Sequence, residues 1–195
     1  QSILFTTTDS KETLSIYGSL VITEDVTPDF DEIHFLSDST GNNIYTNNQS
    51  LGRNSELWFS GNGGWTLQDS LFIGDMTIES GTLDFNDQYV EIINRLSISS
   101  TDSKTVDFGT SDLHLESYYY TTSGLTLDAS EATIYLDGNN SRFRANPTSD
   151  ITYNKVIIDG KTVFDFYDHT IDTLEVRPGS WLSIAGGDTL FLNSF

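Results

Sequence analysis

The chain contains no cysteine, one methionine and only three prolines among its 195 residues. The missing cysteine excludes disulfides, thiol catalysis and thiolate metal sites together. Stability must therefore come from burial and backbone pairing, as it does in many bacterial surface repeats. Basic residues are scarce too: 9 Lys and Arg stand against 29 Asp and Glu, a formal net charge of −20. Such a polyanion repels DNA, RNA and anionic lipid, so no nucleic-acid partner is expected. No apolar run approaches the roughly eighteen residues of a membrane-spanning helix, so direct membrane insertion is not expected. Helical periodicity is missing as well, since no window keeps apolar residues at i, i+3, i+4 and i+7 over three turns.

What recurs is a short apolar-x-apolar doublet followed by Gly, Asn, Asp, Ser or Thr. Examples are Leu71/Ile73, Met76/Ile78, Leu83/Phe85, Val90/Ile92, Leu96/Ile98, Val106/Phe108, Leu113/Leu115, Leu125/Leu127 and Ile134/Leu136. Each doublet puts two side chains on one face of a strand and a polar one on the other. They return about every eight residues, so three of them make a unit of roughly 24, within the range of solenoid repeats. An antiparallel β-sandwich has strands at similar spacing, but it needs hairpin turns. The Asx-Gly hairpin signal is sparse, with Asp137-Gly138 and Asp159-Gly160 among its cases. The chain is therefore predicted to be all-β: a right-handed parallel β-helix of about eight coils, each of three short strands. The antiparallel sandwich is the alternative. Residues 1–195 read as one module. Gln1 leads directly into a strand-like Ser2-Ile3-Leu4-Phe5 with no leader pattern, and Thr189 to Phe195 reads as a strand cut short. The module is thus expected to be a fragment of a longer repetitive protein.

Several stretches resemble a known repeat. Gly41-Asn42-Asn43-Ile44, then Gly63-Gly64-Trp65-Thr66-Leu67-Gln68-Asp69, Gly81-Thr82-Leu83-Asp84-Phe85-Asn86, Val106-Asp107-Phe108-Gly109 and Leu125-Thr126-Leu127-Asp128-Ala129 are similar to the β-helical repeat of very large Bacteroidota surface proteins. The similarity runs from about Ser37 to the end. It loosens at Ala145-Asn146-Pro147 and at Asp168-His169-Thr170, where that family has glycines and an Asn-Thr-Phe-like step. The resemblance implies a stalk or adhesin segment at the bacterial cell surface, like the gliding adhesins exported by the type IX system. Its partners would be neighbouring coils or domains of the same parent chain.

No catalytic or cofactor motif is present. Asp84, Asp107 and Asp128 sit inside apolar doublets and point outward, but sequence alone does not say which of them share a face. Paired carboxylates serve glycosidases, yet no aligned basic set is visible to hold uronate carboxylates, which argues against a pectin lyase. His34, His114 and His169 lack metal-site spacing, and His114 reads as an outward strand residue. Asp29-Phe30-Asp31-Glu32 and Asp84-Phe85-Asn86-Asp87 are oxygen-rich turns able to take Ca2+, without an EF-hand or nonapeptide pattern. Tyr118, Tyr119 and Tyr120 cannot all face one core, so they form a candidate glycan patch. The competing expectation places Tyr119 inside and the other two over a corner. Trp65 and Trp181 are expected to plug the core or its corners. Ser39, Ser70, Thr173 and Thr189 follow aspartates in a pattern similar to the Bacteroidota O-glycosylation motif. The functional expectation is a non-catalytic structural or adhesive segment. A glycan-binding module is the alternative, and a β-helix carbohydrate-active enzyme the less favoured one.

Overall fold

The structure is a computed structural model that describes residues 3–4, 13–28, 30–120, 124–145, 151–166, 170–185 and 191–194. Among these residues there is no helix, and every strand pairing is parallel. The chain winds into a parallel β-solenoid. Among the described residues no antiparallel hairpin joins neighbouring strands, so the sandwich alternative falls away.

Three sheets run along the solenoid. The first carries nine stacked segments: Thr13–Ile16, Glu32–Phe35, Glu56–Phe59, 75–78, 95–98, 117–120, Ser141–Ala145, Lys161–Phe166 and Trp181–Ile184. The second stacks Leu20–Val21, Asn42–Tyr45, Gly64–Leu67, Gly81–Asp84, Lys104–Asp107 and 125–128. The third runs through 71–73, 90–92, 112–115, 133–136, 155–158 and 173–176. From Leu125 onward the second and third merge, because Leu125–Leu136 and Thr152–Ile158 pass through both as bent strands. Turn length varies. Glu56 lies beside Asp75, nineteen residues on, whereas Ser117 lies beside Arg142, twenty-five on. The predicted unit of roughly 24 is therefore the long end of the range, and corners absorb the difference.

The apolar doublets supply the interior. Both members of each pair from Leu71/Ile73 to Leu113/Leu115 are buried, and only Leu127, in a later pair, is partly exposed. In-register stacking then puts like on like from coil to coil. Phe35 stacks on Phe59 at 4.7 Å, with Trp65 edge-on to both at 5.7 Å. Further along, Tyr118, Phe143 and Phe164 form a second column, with centroids 5.0 and 5.3 Å apart. Such ring pairs add about 0.5–1.5 kcal/mol each beyond simple burial.

Several polar groups inside are partnered, whereas the buried hydroxyls of Ser111 and Thr162 have no hydrogen-bond partner among the described residues. Asn42 donates its amide to the carbonyls of Ser39 (2.6 Å) and Gly64 (3.1 Å) at a corner. Lys104 lies 1% exposed, and its Nζ donates to the carbonyls of Ser100 (3.0 Å) and Asp102 (2.7 Å). Burial pulls its pKa below that of a free lysine.

Candidate functional site

The second sheet fixes the register that the sequence left open. Asp84, Asp107 and Asp128 are direct neighbours on successive coils and share one outer face. Their chemistry is structural. Asp84 Oδ1 accepts from the amide of Asn86 (2.7 Å), and Asp107 Oδ1 from that of Gly109 (2.8 Å). Asp128 Oδ1 accepts from both the amide (3.1 Å) and the hydroxyl (2.7 Å) of Ser130. The same local turn therefore closes the same corner three times. Asp87 adds a bond between coils, its Oδ1 accepting from the Thr110 amide at 2.7 Å.

These bonds hold two of the carboxyls below the ordinary value. The Thr110 amide and hydroxyl lower Asp87, and the Ser130 hydroxyl and amide lower Asp128, both from 3.8. A depressed carboxyl stabilises the fold fully above its unfolded pKa and stops doing so as pH falls through the folded one. Carbon-detected NMR titration is therefore expected to give both groups midpoints below 3.8. Protection of the Thr110 and Ser130 amides should disappear over that acid range and be flat from neutral pH to about 5. Midpoints at or above the ordinary value would remove these bonds from the account.

On the third sheet His114 faces outward, as predicted. It lies flat on Tyr135 (4.2 Å, 8°), near Tyr89 (5.1 Å), with Nδ1 3.0 Å from Asp137. The Tyr89 hydroxyl donates to Glu91 at 3.3 Å. Burial, with the Glu91 charge second, pushes that phenol up to about 12. A groove of about 340 Å³ opens here, lined by Arg53, Glu91, His114, Glu116, Asp137 and Asn139. Glu91 and Glu116 give it acidic walls. Among the described residues no three His, Asp or Glu side chains converge as a metal-binding group.

The tyrosine triplet divides. Tyr118 is fully buried, and its hydroxyl meets that of Tyr153 at 3.4 Å in the core. Tyr119 points outward. The expectation that Tyr119 packs inside is thus corrected, because strand alternation counts inward from Leu96 and its neighbour Tyr118. A buried ring cannot stack on a sugar, so Tyr118 leaves the glycan patch. The Tyr120 side chain lies outside the described residues.

Tyr119 has company that the sequence did not show. Arg95 sits with its guanidinium 5.9 Å from the Tyr119 ring centre. Arg95, Ser117 and Arg142 are consecutive neighbours across three coils, and Arg144 lies beside Tyr119 itself. Three of the five arginines thus share the outer face of the first sheet. The expectation that no basic residues align is corrected: separations of 22 and 25 residues hid the alignment until the register was known. Arg144 contacts Asp165 at 3.4 Å. Arg95 and Arg142 are exposed and have no ion pair among the described residues.

Earlier coils of the same face are acidic and aromatic. Glu32, Glu56 and Asp75 occupy the positions that Arg95 continues, and His34 stacks on Trp58 at 5.7 Å beside them.

The remaining predicted sites are dispersed. Ser39 is exposed, Ser70 and Thr173 are partly buried on other coils, and Thr189 lies outside the described residues. Asp69, which precedes Ser70, already accepts from the amide (2.9 Å) and hydroxyl (3.0 Å) of Thr46. Asp29 and His169 are also outside the described residues. Trp65 is buried, and its indole N–H donates to the Gly18 carbonyl at 3.2 Å. Trp181 is 54% exposed, against expectation, because pairing with Lys161 puts it on the outward parity. Comparison with known proteins returns no match: no protein-family model, no curated protein and no solved structure matches the chain.

Proposed function

We propose that the chain is a non-catalytic structural segment of a bacterial cell-surface protein, a stiff spacer that also offers its flanks for adhesion. The observation that carries this is the unbroken parallel ladder of nine segments on the first sheet, lined inside by buried apolar side chains from Ile33 to Phe164. Each coil touches its neighbours on both sides, so bending or opening one coil breaks bonds to two others. The carboxylates with assignable partners serve turns and coil-to-coil contacts, which is what a scaffold requires. The sequence resemblance to giant Bacteroidota surface proteins supports an extracellular setting, with neighbouring coils of the parent chain as partners.

Pulling the chain from its two ends in a force spectrometer tests the mechanical claim. Unfolding should proceed coil by coil, each step releasing about 60–90 Å at 3.3–3.6 Å per residue. A single all-or-none rupture would contradict a quasi-one-dimensional spacer. Incubation with acidic and neutral polysaccharides tests the absence of catalysis. Release of reducing ends that vanishes in Glu91→Gln or Glu116→Gln would make the third-sheet groove an active site instead.

A further inference from the structure

The first sheet's outer face is divided by charge along the solenoid axis. Its early coils present Glu32, Glu56 and Asp75; its later coils present Arg95 and Arg142, with Ser117 between them. These six residues form one ladder, in register, on six consecutive coils. The adjacent ladder on the same face runs His34, Trp58, Thr77, Ser97, Tyr119, Arg144. Each half therefore has one aromatic platform, Trp58 in the acidic half and Tyr119 in the basic half.

Two copies can be laid face to face with a two-fold axis along the strand direction, midway between Asp75 and Arg95. This operation reverses the solenoid axis and keeps strand direction, so each ladder meets itself end for end. Glu32 then falls opposite Arg142 of the second copy, Asp75 opposite Arg95, and Glu56 opposite Ser117. In the second ladder Trp58 falls opposite Tyr119, Thr77 opposite Ser97, and His34 opposite Arg144. Each pairing occurs twice. The acidic and basic halves match, and both aromatics land on each other, with a single choice of axis.

We infer that this face is a self-association surface whose occupant is a second, antiparallel copy of this chain. The inference stands apart from the spacer reading, since an enzyme or a binding module with this face would pair in the same way. The chain is −20 overall, so two exposed arginines on this face that make no ion pair among the described residues are a local exception that a complementary acidic surface would satisfy. The matching surface spans six coils of about 4.8 Å and a strand about 13 Å wide, roughly 750 Å² counted over both copies. That area belongs to weak, reversible interfaces, and the like net charge of the two copies pushes the same way.

Sedimentation velocity on the whole chain, from about 10 µM to 1 mM at low salt, reads the association directly. The wild-type protein should move toward dimer across this range. Arg142→Glu and Glu32→Arg should each weaken the dimer at least tenfold, since each puts like charges opposite one another twice. The combined Glu32→Arg/Arg142→Glu exchange restores opposite charges and should return the dimer to within about threefold of wild type. Trp58→Ala should weaken it without sensitivity to salt. If either single variant melts early, Asp75→Arg, Arg95→Asp and their combination repeat the test one step nearer the axis. A wild-type chain that stays monomeric to 1 mM overturns the inference, as does an exchange variant no better than the single ones. So does a monomeric protein whose cationic half binds uronate or sulfated oligosaccharides, with loss in Arg142→Glu, because the occupant is then a glycan.

Discussion

Phe143→Ala is expected to lower the stability of the solenoid by about 3–5 kcal/mol, the range for deleting a buried phenylalanine. Phe143 is fully buried and is the middle ring of the column Tyr118–Phe143–Phe164, with Tyr153 edge-on at 5.1 Å. Removing it takes away contacts on two sides at once. The backbone cannot collapse into the space, because the segment holding Phe143 is hydrogen-bonded to strands above and below. The hole would also undercut the buried hydroxyl pair of Tyr118 and Tyr153. In a fold where each coil rests on its neighbours, such a lesion weakens the junction between the two parts of the rod. Denaturant unfolding should show the loss as an earlier midpoint, with coils beyond Phe143 exchanging their amides before those around Leu96. Phe143→Leu, which keeps most of the volume, should recover more than half of the loss. A cost below about 1 kcal/mol for the alanine variant would mean that the column is loosely packed.

The architecture was legible in the sequence for a simple reason. Doublets such as Leu83/Phe85 and Val106/Phe108 state a period of two, and their recurrence states a coil. Both are local or short-range signals. The face of each sheet that carries chemistry depends on which residue lies over which, and turns of 18 to 25 residues scramble that alignment. Asp84, Asp107 and Asp128 show the intermediate case. Each stands second in a Leu-Asp or Val-Asp step before a turn, so a common role could be suspected, but only the register stacks them. The arginines show the extreme case. Arg95 follows an irregularity between Ile92 and Arg95 that shifts the register, and nothing in the surrounding sequence ties it to Arg142. The Tyr118 assignment failed on parity alone: one residue's difference in where the strand begins moves every ring to the opposite side. Counting back from the doublet Leu96/Ile98 would have placed Tyr118 inside, had its pairing with the later strand been known.

Gly81→Ala should be the most damaging single-methyl addition, and Gly41→Ala tells why. Both glycines have a positive φ, +79° and +80°. An L residue pays about 1–2 kcal/mol to adopt that backbone, so this part of the cost is common to the two. They differ in what a side chain would meet. Around Gly41 nothing lies within 4 Å, whereas a Cβ on Gly81 would lie 2.5 Å from the carbonyl oxygens of both Gly61 and Gly63. Those two glycines are themselves pressed on the previous coil, where a Cβ on either would lie 2.3 Å from the carbonyl oxygen of Ser37 or Ser39. The corner is therefore a column of backbone against backbone over three coils, and no flexible side chain can yield. The alanine at Gly81 must push the coils apart or twist the strand out of register. We expect about 3–5 kcal/mol for Gly81→Ala, in the range of combined strain and overpacking, against about 1–2 kcal/mol for Gly41→Ala. Amide exchange should localise the damage to Gly61–Leu67 and Gly81–Asp84 in the first variant and leave them protected in the second. The difference between the variants measures the contact between coils with the φ cost cancelled. Equal costs would show that the corner opens without penalty, and the close stacking of turns would then contribute nothing to the rod's rigidity.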